Sequence, residues 1–226
     1  MNTAVVDVGE GVVLPSHPEL SVKGSWTPEN MRREIEFMKS HGIEAIPKLN
    51  FSTLHDAWLG DVQYEVSTPR YYKVCAEVIK DVAEIFGRPR LFHIGMDEES
   101  DLGLQGNYDM MIIRQGALYW NDVNFLADEV EKYGSRAWMF GDDAWFRRES
   151  FYANFPKRIL LSNWFYGRSF RKAEKPWQPP RMNSYREFDE HGFDQVPTAT
   201  NWYPGYLYKD KGIKSNDVNF PLTVAH

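Results

Sequence analysis

The sequence predicts an α/β fold of the (β/α)8 barrel type, incomplete, with about six recognisable β/α units. Three observations predict it. Short apolar runs alternate with stretches of helical periodicity along the whole chain. Asp7, Asn50, Asp97, Asp142, Asn163 and Asn201 each stand at or near the C-terminal end of an expected strand. In a barrel, functional residues converge there from many strands, whereas a doubly wound open sheet gathers its site at one switch point. Neither a G-x-G-x-x-G nor a P-loop pattern occurs, so nucleotide binding has no motif behind it.

The elements follow in order. Residues 3–8 form the first apolar run, and a loop rich in Gly and Pro extends to Gly24. Thr27-Pro28-Glu29-Asn30 opens a helix: Thr27 caps free amides, Pro28 suits the first helical position and Glu29 suits its positive end. Met31, Ile35 and Met38 recur at helical spacing, and Gly42 ends the helix. Residues 43–50 read as the next strand. Thr68-Pro69 opens a second helix with Tyr72, Cys75, Ile79, Val82 and Ile85 on one face, closing at Gly87. A strand from Arg90 to Met96 follows. Next comes a helix from about Arg114 to Tyr133, with Leu118, Val123, Leu126 and Val130 as its apolar stripe. Strands at 136–141 and 158–164, a short helix near 185–191 and a last strand at 196–202 complete the pattern.

At 226 residues the chain is long enough to bury a core without disulfide or metal staples. Apolar residues at 42 % and charged residues at 26 % are ordinary for a soluble globular domain. The net charge of -6 argues against a broad phosphate-binding surface, so no nucleic-acid partner is expected. No apolar run is long enough to span a bilayer, and Met1 to Gly11 carries Asp7 and Glu10 with no basic leader, so neither a membrane partner nor a signal peptide is expected in this chain. Localisation stays open. A single cysteine, Cys75, allows no internal disulfide. Aromatic residues reach 15 %, with 8 Trp; such faces fill cores and also stack on sugar rings.

The strongest chemical signal is Phe92-His93-Ile94-Gly95-Met96-Asp97-Glu98-Glu99. Adjacent acids leaving a buried strand can divide two tasks: one carboxyl donates a proton and the other stays ionised beside developing positive charge. A solvated acidic turn is the plain alternative, and Glu99 reads as a solvated neighbour. The six His are scattered without a His-x-x-x-His pair, so no metal is expected, and no cofactor is implied.

The His-x-Gly-x-Asp-Glu run resembles the His-x-Gly-Gly-Asp-Glu signature of family-20 glycoside hydrolases, the β-N-acetylhexosaminidases. Gly42-Ile43-Glu44-Ala45-Ile46-Pro47-Lys48-Leu49-Asn50-Phe51-Ser52-Thr53-Leu54-His55 is similar to that family's Gly-Ile-x-Val-Ile-Pro-x-x-Asp-x-Pro-Gly-His segment. Trp138-Met139-Phe140-Gly141-Asp142, Leu160 to Trp164 and Tyr208-Lys209-Asp210 resemble later strand ends, so the likeness runs from about Asp7 to Asp210.

The resemblance implies a single partial barrel domain over 1–226 that removes terminal β-linked N-acetylhexosamine with retention, the sugar's own acetamido oxygen attacking the anomeric carbon. It implies Glu98 as acid/base and Asp97 as the group that orients the acetamido nitrogen, with His55 and His93 beside them. Trp138, Trp164 and Trp202 would wall the acetamido pocket, Tyr208 would bond its oxygen, Asp210 would meet a hydroxyl, and Asp142 is a further candidate.

Met96 stands where the family has its second Gly, and Thr53-Leu54 where it has Pro-Gly. Only two strands precede Asp97-Glu98 instead of three, and Lys211 to His226 offers no final strand. A shortened barrel exposes strand edges, so a homo-oligomer is expected. Two other readings stay open. One is a non-catalytic carbohydrate-binding remnant. The other is a glycosidase with a conventional carboxylate nucleophile, Asp142 serving with Glu98 as acid.

Overall fold

The computed structural model describes residues 2–100, 110–165, 170, 173, 176 and 178–198. The chain forms two compact units, residues 1–139 and 140–226.

The first unit is built on parallel strands in the order β1 (Thr3–Asp7), β2 (Glu44–Lys48), β3 (Leu91–His93) and β4 (Arg136–Phe140). Register sets Val5 beside Ile46, Lys48 beside His93 and Phe92 beside Ala137. The crossover connections that parallel strands require are supplied by helices α1 (Pro28–Ser40), α2 (Pro69–Ile85) and α3 (Gly116–Glu131).

The predicted caps form. Thr27 accepts the Asn30 N–H, Thr68 accepts the Tyr71 N–H at 3.2 Å, and Pro28 and Pro69 open their helices. Gly42, at φ +74°, turns the chain from α1 into β2, a conformation that a side chain would strain.

The core lies between the sheet and α2 and α3. Cys75, Val78, Ile79, Val82, Val123, Leu126 and Val130 are fully enclosed, as are Ile46 and Phe92. Enclosing each such aliphatic side chain stabilises by about 1.5–3 kcal/mol. Leu118, expected in the α3 stripe, is instead 46 % exposed. It lies in the helix's first turn, and the buried face there is taken by Tyr119 and Trp120.

The second unit holds α4 (Asp143–Phe146), α5 (Arg148–Asn154), β5 (Leu160–Ser162) and α6 (Gln178–Glu190). Gly141 donates its N–H to the Ser162 carbonyl at 2.8 Å. A Cβ on Gly141 would come within 2.8 Å of the Phe188 ring, so glycine lets α6 seat closely. Phe151, Phe155, Phe188 and Phe193 form its aromatic core, with Phe151 and Phe155 stacked at 5.1 Å.

Helix α6 starts at Gln178, earlier than the expected 185, because Pro179 and Pro180 sit in its first turn, where their missing N–H groups cost nothing. The expected strand at 196–202 is described only to Thr198. No strand forms over 196–198; two isolated parallel bridges, Leu161–Gln195 and Trp164–Thr198, are made there instead. Asn201 lies outside the described residues.

Five strands are therefore described where about six were expected, in an α/β arrangement. Among the described residues no helix is long and apolar enough to cross a membrane.

Candidate active site

Asp97 and Glu98 sit on the loop leaving β3, and the backbone there is unusual. Gly95, Met96 and Glu98 have φ of +73°, +69° and +57°. Left-handed residues without glycine's freedom are kept only where surrounding contacts determine them, and they concentrate at functional sites. Gly95 is obligatory: a Cβ there would fall 1.9 Å from Asn50 Oδ1 and 2.7 Å from Asn50 Cα. Met96 is fully buried, so the bulk that replaces the second glycine goes into the core.

Asn50 lies two residues beyond β2. It donates from Nδ2 to Asp97 Oδ1 at 2.7 Å and accepts the Ser52 and Met96 N–H groups on Oδ1. Trp58 Nε1–H donates to the Asn50 carbonyl at 2.8 Å, which ties the following loop to the same point. That loop presents His55, whose Nε2 is 3.2 Å from Glu98 Oε2 and 3.5 Å from Asp97 Oδ2. The hydrogen bond to Glu98 raises the His55 pKa above its ordinary value, against a smaller opposing effect of burial.

Donor atoms of His55, Asp97 and Glu98 lie within 4.8 Å of one another. The shared hydrogen bond between the His55 imidazole and the Glu98 carboxylate suits this cluster to handling a proton. Glu98 is 43 % exposed at its side chain while Asp97 is 16 % exposed, so both are reachable and the first more so.

Asp7, Glu10, Lys48, Asn50, His55 and Trp58 line an open cleft of about 370 Å³ beside the cluster. Of these, Lys48 and Asp7 form an ion pair, Nζ to Oδ2, at 2.9 Å.

Glu99 is not the solvated neighbour expected. It is 3 % exposed and accepts from the Thr53 N–H and from Arg114 at its N–H, Nε and Nη2, each at 2.9 Å. The fully buried Arg114 also reaches the Phe51 carbonyl, Tyr71 and Asp122. Arginine and glutamate seldom bury unless paired, and the pairing is long-range, so no local pattern announced it.

His93 is buried within the same unit, and burial drives its pKa down to about 3. It is therefore a neutral ring, whose Nδ1 accepts the Gly95 N–H at 3.0 Å and whose face meets Trp138 at 5.0 Å. Trp138 is itself 8 % exposed and lies on β4, three places before Gly141.

Asp142 and Trp164 belong to the second unit. Asp142 is buried at the start of α4. Trp164 meets Trp145 edge-on at 4.5 Å, and the Arg181 guanidinium lies 4.5 Å from the Trp164 ring and 4.4 Å from Trp145. Asn163 joins this group by accepting Trp145 Nε1–H and donating to the Arg181 carbonyl. Trp202, Tyr208 and Asp210 lie outside the described residues.

No family model matches the sequence, and no curated protein matches it. Solved structures do. The chain is similar to a family-20 exo-β-N-acetylglucosaminidase from Vibrio harveyi, solved with N-acetylglucosamine: TM-score 0.61, 17 % identity, 89 % of this chain and 37 % of that one. It is similar to the family-20 chitobiase of Flavobacterium johnsoniae: TM-score 0.61, 18 % identity, 90 % and 34 %. It is also similar to the family-20 β-N-acetylhexosaminidase of Streptomyces coelicolor: TM-score 0.60, 12 % identity, 88 % and 42 %. The resemblance to family-20 barrels read from the two motifs thus extends to the fold, and the chain spans less than half the length of these relatives.

Proposed function

We propose that this chain is a carbohydrate-active hydrolase domain that cleaves terminal β-linked N-acetylhexosamine with retention, 1–226 acting as one partial barrel domain. The observation that carries the proposal is the Asn50–Asp97–His55–Glu98 cluster on the loops that follow β2 and β3.

Glu98 and His55 share a hydrogen bond at the solvent edge, and together they hold a proton that can pass to a leaving oxygen. Asp97 has one oxygen held by Asn50 and the other near the imidazole, which leaves a fixed carboxylate to orient an acetamido N–H and to balance charge at the anomeric carbon. The nucleophile is then the substrate's acetamido oxygen, a recognised exception to the two-carboxylate scheme. Trp138, Trp164, Trp202, Tyr208, Asp210 and Asp142 are proposed to contact the sugar. The expected partner is a glycan bearing N-acetylhexosamine, and the expected assembly is a homo-oligomer.

The test is hydrolysis of an aryl β-N-acetylglucosaminide and an aryl β-glucoside by wild type and Glu98→Gln. Release from the acetamido substrate alone, lost in the variant, supports the reading. Cleavage of both substrates favours a carboxylate nucleophile such as Asp142. Silence from a folded sample that still binds sugar favours a non-catalytic remnant.

A further inference from the structure

Asn50 makes none of the bonds that change in the reaction proposed above, yet its side chain is buried and every polar atom of it is engaged. Oδ1 accepts two backbone N–H groups, from Ser52 and Met96, both at 3.2 Å. That fixes the amide's orientation, because a flip would face its NH2 toward two donors and its oxygen toward a carboxylate. Nδ2 is thereby aimed at Asp97 Oδ1, 2.7 Å away. Gly95 leaves the space that Oδ1 occupies.

The charged and titratable groups around this pair are Glu98 on the same loop, His55 on the loop after β2, Lys48 at the end of β2 and the neutral His93 at the end of β3.

We propose that Asn50 is a positioning residue: its amide keeps one Asp97 oxygen in a permanent hydrogen bond and so holds the carboxylate aimed, whatever the pH. The inference rests on the proposed reading, in which Asp97 orients the substrate. Its physical basis is that an amide N–H has no proton to lose in this range. The family segment that residues 42–55 resemble carries an acid where this chain has Asn50. An acid at position 50 would accept the same two backbone N–H groups, but it would donate to Asp97 only while the pair retained one shared proton. Once that proton left, two carboxylates about 2.7 Å apart would repel. The amide therefore removes an alkaline limit that an acid would impose.

The experiment compares pH profiles of kcat and kcat/KM for wild type, Asn50→Asp and Asn50→Ala on the acetamido substrate, with ¹³C NMR titration of the aspartate carboxyls and ¹⁵N observation of the Asn50 side-chain amide. Asn50→Asp keeps both backbone contacts. It is expected to retain activity on the acid side and to gain an additional alkaline loss, at least about one pH unit below that of wild type, with carboxyls 50 and 97 titrating as a coupled pair. Asn50→Ala is expected to lose roughly tenfold or more in kcat at every pH, with the profile shape kept. In wild type, the Asn50 amide resonances are expected to follow Asp97.

An Asn50→Asp profile superimposable on wild type, or amide resonances indifferent to Asp97, overturns the inference. The amide measurement needs only the wild-type protein, so it decides even if Asn50→Asp does not fold. If wild type hydrolyses neither substrate, the proposed activity fails by itself, while the NMR arm still decides whether Asn50 holds Asp97.

Discussion

Glu98 and Glu99 are consecutive residues with opposite surroundings. Glu98 is 43 % exposed at its side chain and bonds His55, a group of adjustable charge. Glu99 is 1 % exposed at its side chain, and Arg114 with the Thr53 N–H surrounds it. Arg114 draws the Glu99 carboxyl below its ordinary range even though burial pushes the other way. One acid lies at the solvent edge beside an imidazole, and its neighbour is clamped by a buried ion pair. The pair shows how a loop with left-handed residues at Gly95, Met96 and Glu98 can be both strained and fixed: a buried ion pair anchors it on the core side.

The largest effects should come from separating these two roles. Glu98→Gln is expected to lower turnover by about 10²–10⁴-fold while leaving the melting temperature within a degree or two of wild type. Glu99→Gln should do the reverse at first, losing stability before chemistry. Parallel calorimetry and kinetics would show it, and equal losses of turnover in both variants would dissolve the distinction.

On the partner side, Arg114→Met leaves Glu99 buried without its cation. The expected cost is about 3–5 kcal/mol in urea unfolding. The double variant Arg114→Met/Glu99→Met should recover much of that loss, because the damage comes from an unpaired charge.

Gly95→Ala sharpens the comparison at the shared backbone. It combines a strained φ with a collision against Asn50, so about 2–4 kcal/mol of stability and most of the activity should go together. An alanine variant with unchanged melting would show that the loop is looser than its contacts imply.

The smallest effect concerns Asp56, beside His55. Burial pushes its carboxyl from 3.8 up to about 7, Arg114 pulling it partly back, and its Oδ2 has no hydrogen-bond partner among the described residues. The native state then binds more protons than the unfolded chain between roughly pH 4 and 7. Stability is full below that window and falls as pH rises through it. Asp56→Asn is expected to be more stable than wild type at pH 8, with no gain at pH 4. Denaturation at the two pH values checks the sign.

The readings that held depend on neighbours close in sequence. Thr27-Pro28 and Thr68-Pro69 start helices because a cap needs only the next three residues. The stripe of α2 buries because helical spacing places Cys75, Ile79 and Val82 on one side. Asp97-Glu98 was legible as an acid pair leaving a strand because both the strand and the acids are contiguous. Leu118 was misplaced because periodicity gives a face without saying where the neighbouring element ends.

By itself, the sequence determined the alternation of strands and helices, the helix starts, the acid pair and the two motifs that resemble family-20 barrels. All are encoded within about a dozen residues each. Tertiary structure alone decided that Glu99 is buried and Glu98 is not, that Asn50 rather than a more distant polar group holds Asp97, and that His93 is neutral. Those outcomes follow from desolvation and pairing between residues 15 to 47 positions apart, Arg114 on Glu99 and Asn50 on Asp97, whose energies exist only once the strands stand side by side.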